Sequence, residues 1–181
     1  MSTIQIGIQS DTVVKPSALA VGVAAFGGTV AYILQPGDPG FVVGQIKGFV
    51  CSPAIGSNGG TDFWAPSTTL TGATATAIGT GLANSDTIVA AFGTGSAYAA
   101  RTCRSYNAGG FNDWYMPSRD ELVKILQNNS ILGLPGNPII FSSSQINAST
   151  VWGVLTSNAG TQSIPFGGSY YYVIAIRNFI V

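Results

Sequence analysis

Gly109-Gly-Phe-Asn-Asp-Trp-Tyr-Met-Pro-Ser-Arg-Asp-Glu-Leu122 is the stretch that decides how this chain is read. Ser118-Arg-Asp-Glu121 has the spacing of a capping box, in which the serine hydroxyl and the glutamate carboxylate each satisfy a backbone N–H at a helix start. Asp120 and Glu121 fall in the first turn, where negative charge complements the helix dipole. Leu122, Ile125 and Leu126 follow at i, i+3 and i+4, which predicts a helix with one buried stripe. Asn128-Asn-Ser-Ile131 ends it. Before the helix, Asn112-Asp113 reads as a turn.

Outward from this helix the chain alternates between short strands and loops. A first helix is expected from an N-cap at Ser85-Asp86 through Phe92, with Ala97 to Arg104 continuing it or forming a separate turn. Strands are expected at Thr29–Leu34, within Phe41–Cys51, at Ile139–Phe141, at Val151–Leu155 and at Tyr171–Arg177. Gln35-Pro-Gly-Asp-Pro-Gly40 has the chemistry of consecutive turns. Ser52 to Thr74 is rich in Gly, Ser and Thr and reads as a long loop carrying Phe63 and Trp64. The class is α+β: short antiparallel strands, two helices and long loops.

Two segments are expected: an N-terminal arm over residues 1–22 and a domain over residues 23–181. In the arm Ile4, Ile6 and Ile8 alternate with Gln5 and Gly7, the period of a strand with one apolar face. This row is assigned to anchoring or assembly, either on the domain's own sheet or on a neighbouring subunit.

Composition excludes several functions. The chain has 181 residues, 7 Lys plus Arg, 7 Asp plus Glu and no histidine, so its net charge is zero. Only 8% of residues are charged, against about 25% in a typical soluble domain. A nucleic-acid ligand is not expected without a basic face. A chain with so little charge is expected to associate with copies of itself or with other proteins. Histidine-based nucleophilic catalysis and His-ligated zinc are ruled out. The seven acids are dispersed and offer neither a paired-carboxylate site nor repeated calcium-ligand spacing. No enzyme activity, metal or cofactor is expected. No apolar run is long enough to span a bilayer, and no secretion signal is read at the start. Cys51 and Cys103 read as buried free thiols, with a single disulfide left open.

The quoted stretch resembles the signature of a bacterial and phage domain family with a C-type-lectin-like fold, Gly-x-x-Asp-Trp-x-Leu-Pro-Ser/Thr-x-x-Glu-Leu. Ala31–Gly40, Thr71–Gly81, Ser142-Ser-Ser144 and the closing Tyr172-Val-Ile-Ala-Ile-Arg177 are also similar to that family, so the likeness covers roughly residues 27–179. It implies a looped sheet, two helices and a binding face built from late loops. Related domains occur in surface adhesins and phage receptor-binding proteins. Gln35-Pro-Gly-Asp38 and Phe111-Asn-Asp-Trp114 do not match the calcium-dependent sugar-binding triplets of lectins. The expected function is that of a non-enzymatic virion protein, a head decoration, fibre or tail-tip component made in the host cytoplasm. The alternative is a bacterial surface adhesin or carbohydrate-binding module. Asn147, Asn158, Gln162, Phe166 and Tyr170 are the expected ligand-binding residues, for a host-surface glycan or protein. Trp152, within an apolar strand, is expected to point inward.

Overall fold

The computed structural model describes residues 19–55, 63–135, 138–166 and 171–181. Ile4, Ile6, Ile8 and Tyr170 lie outside them. In chain order the elements are β1 (Ala24–Ala25), β2 (Gly28–Ile33), β3 (Lys47–Cys51), α1 (Gly81–Phe92), α2 (Ala99–Ser105), α3 (Arg119–Leu126), α4 (Asn129–Leu132), β4 (Ile139–Gln145), β5 (Thr150–Leu155), β6 (Thr161–Pro165), β7 (Tyr171–Tyr172) and β8 (Ile176–Ile180). The class is α+β, with four helices described where the sequence predicted two.

Two four-stranded sheets carry the molecule. The first has the order β1-β2-β3-β8 and the second β6-β5-β4-β7. All described pairings are antiparallel except β4 with β7, which is parallel. The expected strand at residues 171–177 is divided between the sheets, with β7 in the second and β8 in the first.

The first sheet is buried on both faces. Val30, Val50 and Phe179 contribute to a core with Trp64, Trp114, Phe141 and Phe166. Ala31, Tyr32, Phe49 and Ile176 belong to a second core with Leu122, Ile125 and Ile140. Consecutive residues such as Val50 and Phe49 thus supply different cores, while a register shift between Val30 and Tyr32 lets the adjacent Ala31 and Tyr32 serve the same one. Ala24 and Ala25 pair with Thr29 and Gly28. Just before them, Leu19 packs against the first core and the Gly22 N–H bonds Val30 O at 2.8 Å.

Helix α3 forms as its residues predict. Glu121 N–H donates to Ser118 Oγ at 3.4 Å and Ser118 N–H donates to Glu121 Oε2 at 2.7 Å, completing the capping box. Leu122, Ile125 and Leu126 are buried. The start of α1 differs from expectation. Ser85 is not its cap: the helix begins four residues earlier, at Gly81. Ser85 Oγ instead accepts from Met116 N–H at 3.0 Å inside the core. Thr80, the actual N-cap, makes no side-chain cap bond. Glu121 compensates, because its Oε1 accepts the Gly79 N–H at 2.8 Å. One buried carboxylate thus serves the starts of two helices. A Cβ at Gly81 would collide with that carboxylate, so the position requires glycine.

Two of the quoted stretches meet in space. Arg177 clasps Asp113 with two hydrogen bonds, Nε to Oδ1 at 2.5 Å and Nη2 to Oδ2 at 2.9 Å. Its guanidinium lies 3.8 Å from the Phe111 ring centroid and also donates to Phe26 O. Trp114 is fully buried, with Nε1 donating to Phe111 O at 3.0 Å. The 35–40 turns are pinned by Asp38, which accepts from Tyr32 OH at 2.6 Å and pairs with Lys124 Nζ at 3.2 Å. Cys51 and Cys103 are both buried, and the Cys103 thiol donates to Ile174 O at 3.3 Å. Burial pushes the Cys51 thiol up to about 12.

The Asp113–Arg177 clasp makes an acid-stability prediction. The hydrogen bond from Arg177 is the leading reason that the Asp113 carboxyl lies below its ordinary range; burial opposes it. A carboxyl lowered by folding contributes stability above its unfolded pKa and loses it as pH falls through the folded value. Asp113→Asn should therefore reduce stability at pH 7 and flatten the loss seen between about pH 5 and pH 2. Urea melts across that range on both proteins check it. An acid limb of unchanged steepness would overturn the assignment.

Candidate functional site

The expected late-loop residues do not converge. Asn147 Oδ1 accepts from Ser149 N–H at 2.9 Å and Thr150 N–H at 3.0 Å, closing the β4–β5 turn. Asn158 Oδ1 accepts from Gly160 N–H at 2.8 Å in the β5–β6 turn. These turns lie at opposite ends of β5, whose six residues span roughly 20 Å. Both side-chain oxygens are engaged in shaping the backbone. Gln162 is exposed on the edge strand β6, opposite Gly153.

Phe166 is corrected from the binding face to the core. It is 5% exposed, with its ring centroid 4.6 Å from that of Trp64. The cause is strand alternation: Ile164 and Phe166 share the inward face of β6 and its continuation. The backbone is held as well, since Trp64 N–H donates to Phe166 O at 2.8 Å and Phe166 N–H to Ser149 O at 3.2 Å. Trp64, in the long loop, is fully buried, and its Nε1 donates to Ser142 O at 2.8 Å.

Trp152 is corrected in the opposite sense. It is only half-buried. Val151 takes the inward place beside Phe141, Ile164 and Phe166, so Trp152 turns to the other face of the sheet. There the Arg119 guanidinium carbon lies 5.1 Å from the centre of the indole. Arg119 Nε donates to Asp120 Oδ1 at 2.7 Å. The first turn of α3 is fixed to β4 at this point, because Arg119 N–H donates to Ser144 Oγ at 3.0 Å. Ser163 is directly opposite Trp152 in the ladder, and Thr161 opposite Val154, so both exposed hydroxyl residues share the face of the indole. Thr150 is on that face too, and its Oγ1 is buried without a hydrogen-bond partner.

The candidate site is therefore an indole and a guanidinium, flanked by a carboxylate and two hydroxyls, on β5, β6 and the start of α3. Arg119 was within the quoted stretch, but only as a capping-box residue. Its proximity to Trp152 depends on the α3–β5 contact, for which the sequence carries no local signal. The Ser142-Ser-Ser144 run is part of the support. Ser142 Oγ donates to Trp152 O at 2.7 Å and Ser144 Oγ to Ala75 O at 2.7 Å. Gln145 adds bonds with Thr71 and with Thr69 O.

Among the described residues no three His, Cys, Asp or Glu side chains gather into a metal-holding group. No described helix is long and apolar enough to cross a membrane. No protein-family model matches this chain, and no curated protein sequence matches it.

Proposed function

We propose that this chain is a non-enzymatic virion attachment protein built on a C-type-lectin-like domain, and that it binds a host-surface glycan or protein through the Trp152–Arg119 surface. The partly exposed indole beneath a guanidinium, with Ser163 and Thr161 beside it, carries the reading. An aromatic face accepts the apolar side of a pyranose or an aliphatic side chain, while planar N–H groups and hydroxyls meet the ligand's oxygens. The motif order carries the family resemblance, and the Asp113–Arg177 clasp brings two of those segments together.

The test pairs binding with unfolding on the full chain. Probes are intact bacterial cells and an array of neutral bacterial-surface oligosaccharides. Trp152→Ala and Arg119→Ala should each weaken binding about tenfold, equivalent to ~1.4 kcal/mol. Thermal unfolding of Arg119→Ala should remain within a few degrees of the parent. Binding by both variants at the parent level would remove this surface from the reading. Immunogold labelling of particles against cell envelopes separates a virion component from a bacterial surface adhesin.

A further inference from the structure

We propose that the outer edge of β8 receives, as an added strand, the Ile4–Ile8 stretch of a second copy of this chain. The inference rests on the assembly side of the virion reading and assigns it a surface.

The acceptor edge follows from the ladder. Ile46 and Val181 exchange both backbone hydrogen bonds, at 3.3 and 2.9 Å. In the same register Gly48 pairs with Phe179 and Val50 with Arg177. Backbone groups alternate along an antiparallel strand, so Arg177, Phe179 and Val181 bond inward to β3 while Ile176, Asn178 and Ile180 turn outward. Tyr115 takes both outward groups of Ile176, at 2.8 Å each. The outward groups of Asn178 and Ile180 have no backbone partner among the described residues.

An apolar cleft adjoins this edge, lined by Leu34, Phe49, Ile78, Phe179 and Ile180. Ile180 is 60% exposed. The free edge of the second sheet is different. Thr161, Gln162 and Ser163 are exposed on β6, which ends at Pro165, and such polar residues and proline protect an edge from pairing. β8 has no proline, and its two outward positions beyond Ile176 are the exposed Asn178 and Ile180. An added strand there would gain main-chain hydrogen bonds and place alternate apolar side chains in the cleft. The Ile4, Ile6, Ile8 row has that period.

Chain geometry favours a second copy as the donor. Gly22 bonds Val30 from the side of β2 away from β3, so the arm joins the sheet at its β1 edge. The acceptor is at the opposite edge. Both faces between them carry core, so no straight path across the sheet is open to the chain's own arm. The roughly eleven residues from Ile8 to Leu19 can extend up to about 36 Å, whereas four strands span about 15 Å. The arm is thus long enough to reach a neighbour. Donor on one edge and acceptor on the other make a head-to-tail contact.

Sedimentation velocity of the full chain over a hundredfold concentration range tests this. The parent should form concentration-dependent oligomers. Ile6→Lys, which spoils the donor, and Ile180→Pro, which removes the outward donor N–H of the acceptor, should each sediment as monomers. An equimolar mixture should form heterodimers and nothing larger, because Ile6→Lys retains the acceptor and Ile180→Pro retains the arm. Ile180→Lys, at an exposed position, replaces the proline variant if that one melts early. A monomeric parent, association that survives either variant, or a mixture that remains monomeric overturns the strand exchange. Cell binding is read on the same samples. A monomeric parent that binds through Trp152 overturns the strand exchange while leaving the attachment function standing; parent oligomers unable to bind do the reverse.

Discussion

Phe166→Ala should lower the unfolding free energy by about 3–5 kcal/mol, the range for emptying a buried aromatic site. Phe166 fills the space against Trp64, and its backbone joins the Trp64 loop to the β4–β5 turn. Urea melts would show an earlier midpoint, and the population that remains folded should bind with parental affinity. The contrast with Trp152→Ala is the informative part, since that change should act mainly on binding. A Phe166→Ala protein of parental stability would mean that the ring is not held in the core.

Glu121→Ala should cost about 3 kcal/mol, at the upper end of the penalty of about 1–3 kcal/mol for a buried N–H left without an acceptor, because the buried Ser118 amide loses its partner and the more exposed Gly79 amide loses a second bond. The amides of Ser118 and Gly79 would lose their partner, one at each of two helix starts. Glu121→Gln retains one acceptor oxygen and should fall between the parent and the alanine variant. The pH dependence has the opposite sign to that of Asp113. Burial raises the Glu121 carboxyl above its ordinary range and outweighs the N–H bonds that lower it. Its linkage contribution is fully present below the unfolded pKa and is lost as pH rises through the folded one. Acidification through that window should therefore widen the gap between the parent and Glu121→Gln. Denaturant melts at pH 7 and pH 4 measure this, and a gap that narrows on acidification would refute it.

Local chemistry made α3 legible. Ser118, Glu121 and the Leu122, Ile125, Leu126 stripe are close in sequence, and each reports on the same helix. The start of α1 was not legible because its capping carboxylate is Glu121, about 40 residues away. Without it Ser85-Asp86 is the best local cap, yet Ser85 is consumed by Met116. The strands β2, β3, β4 and β5 and the 171–177 stretch were legible, but β1, β6 and the directions of the side chains were not. Thr150-Val-Trp-Gly-Val-Leu155 is apolar on both parities, so only the positions of α3 and Trp64 decide that Val151 is covered from one side and Trp152 from the other. The site was misread for a related reason. Asn147 and Asn158 have a composition suited to a ligand, but the same oxygens can close a turn, and that is where they bond. Among the expected aromatics the structure exchanges roles, taking Phe166 in and leaving Trp152 half out.

The placement of β8 also governs when the molecule can become whole. Its partner β3 leaves the ribosome roughly 125 residues earlier, and Ile176–Ile180 is the strand that joins β3 to Tyr115. While those residues are being made, the nascent chain carries Val50 and Phe49 without their final partner strand, although local helices such as α3 can already form. Closing so long a loop is entropically slow. This interval, rather than the finished fold, is when the chain is most open to mispairing with another copy or to capture by a chaperone.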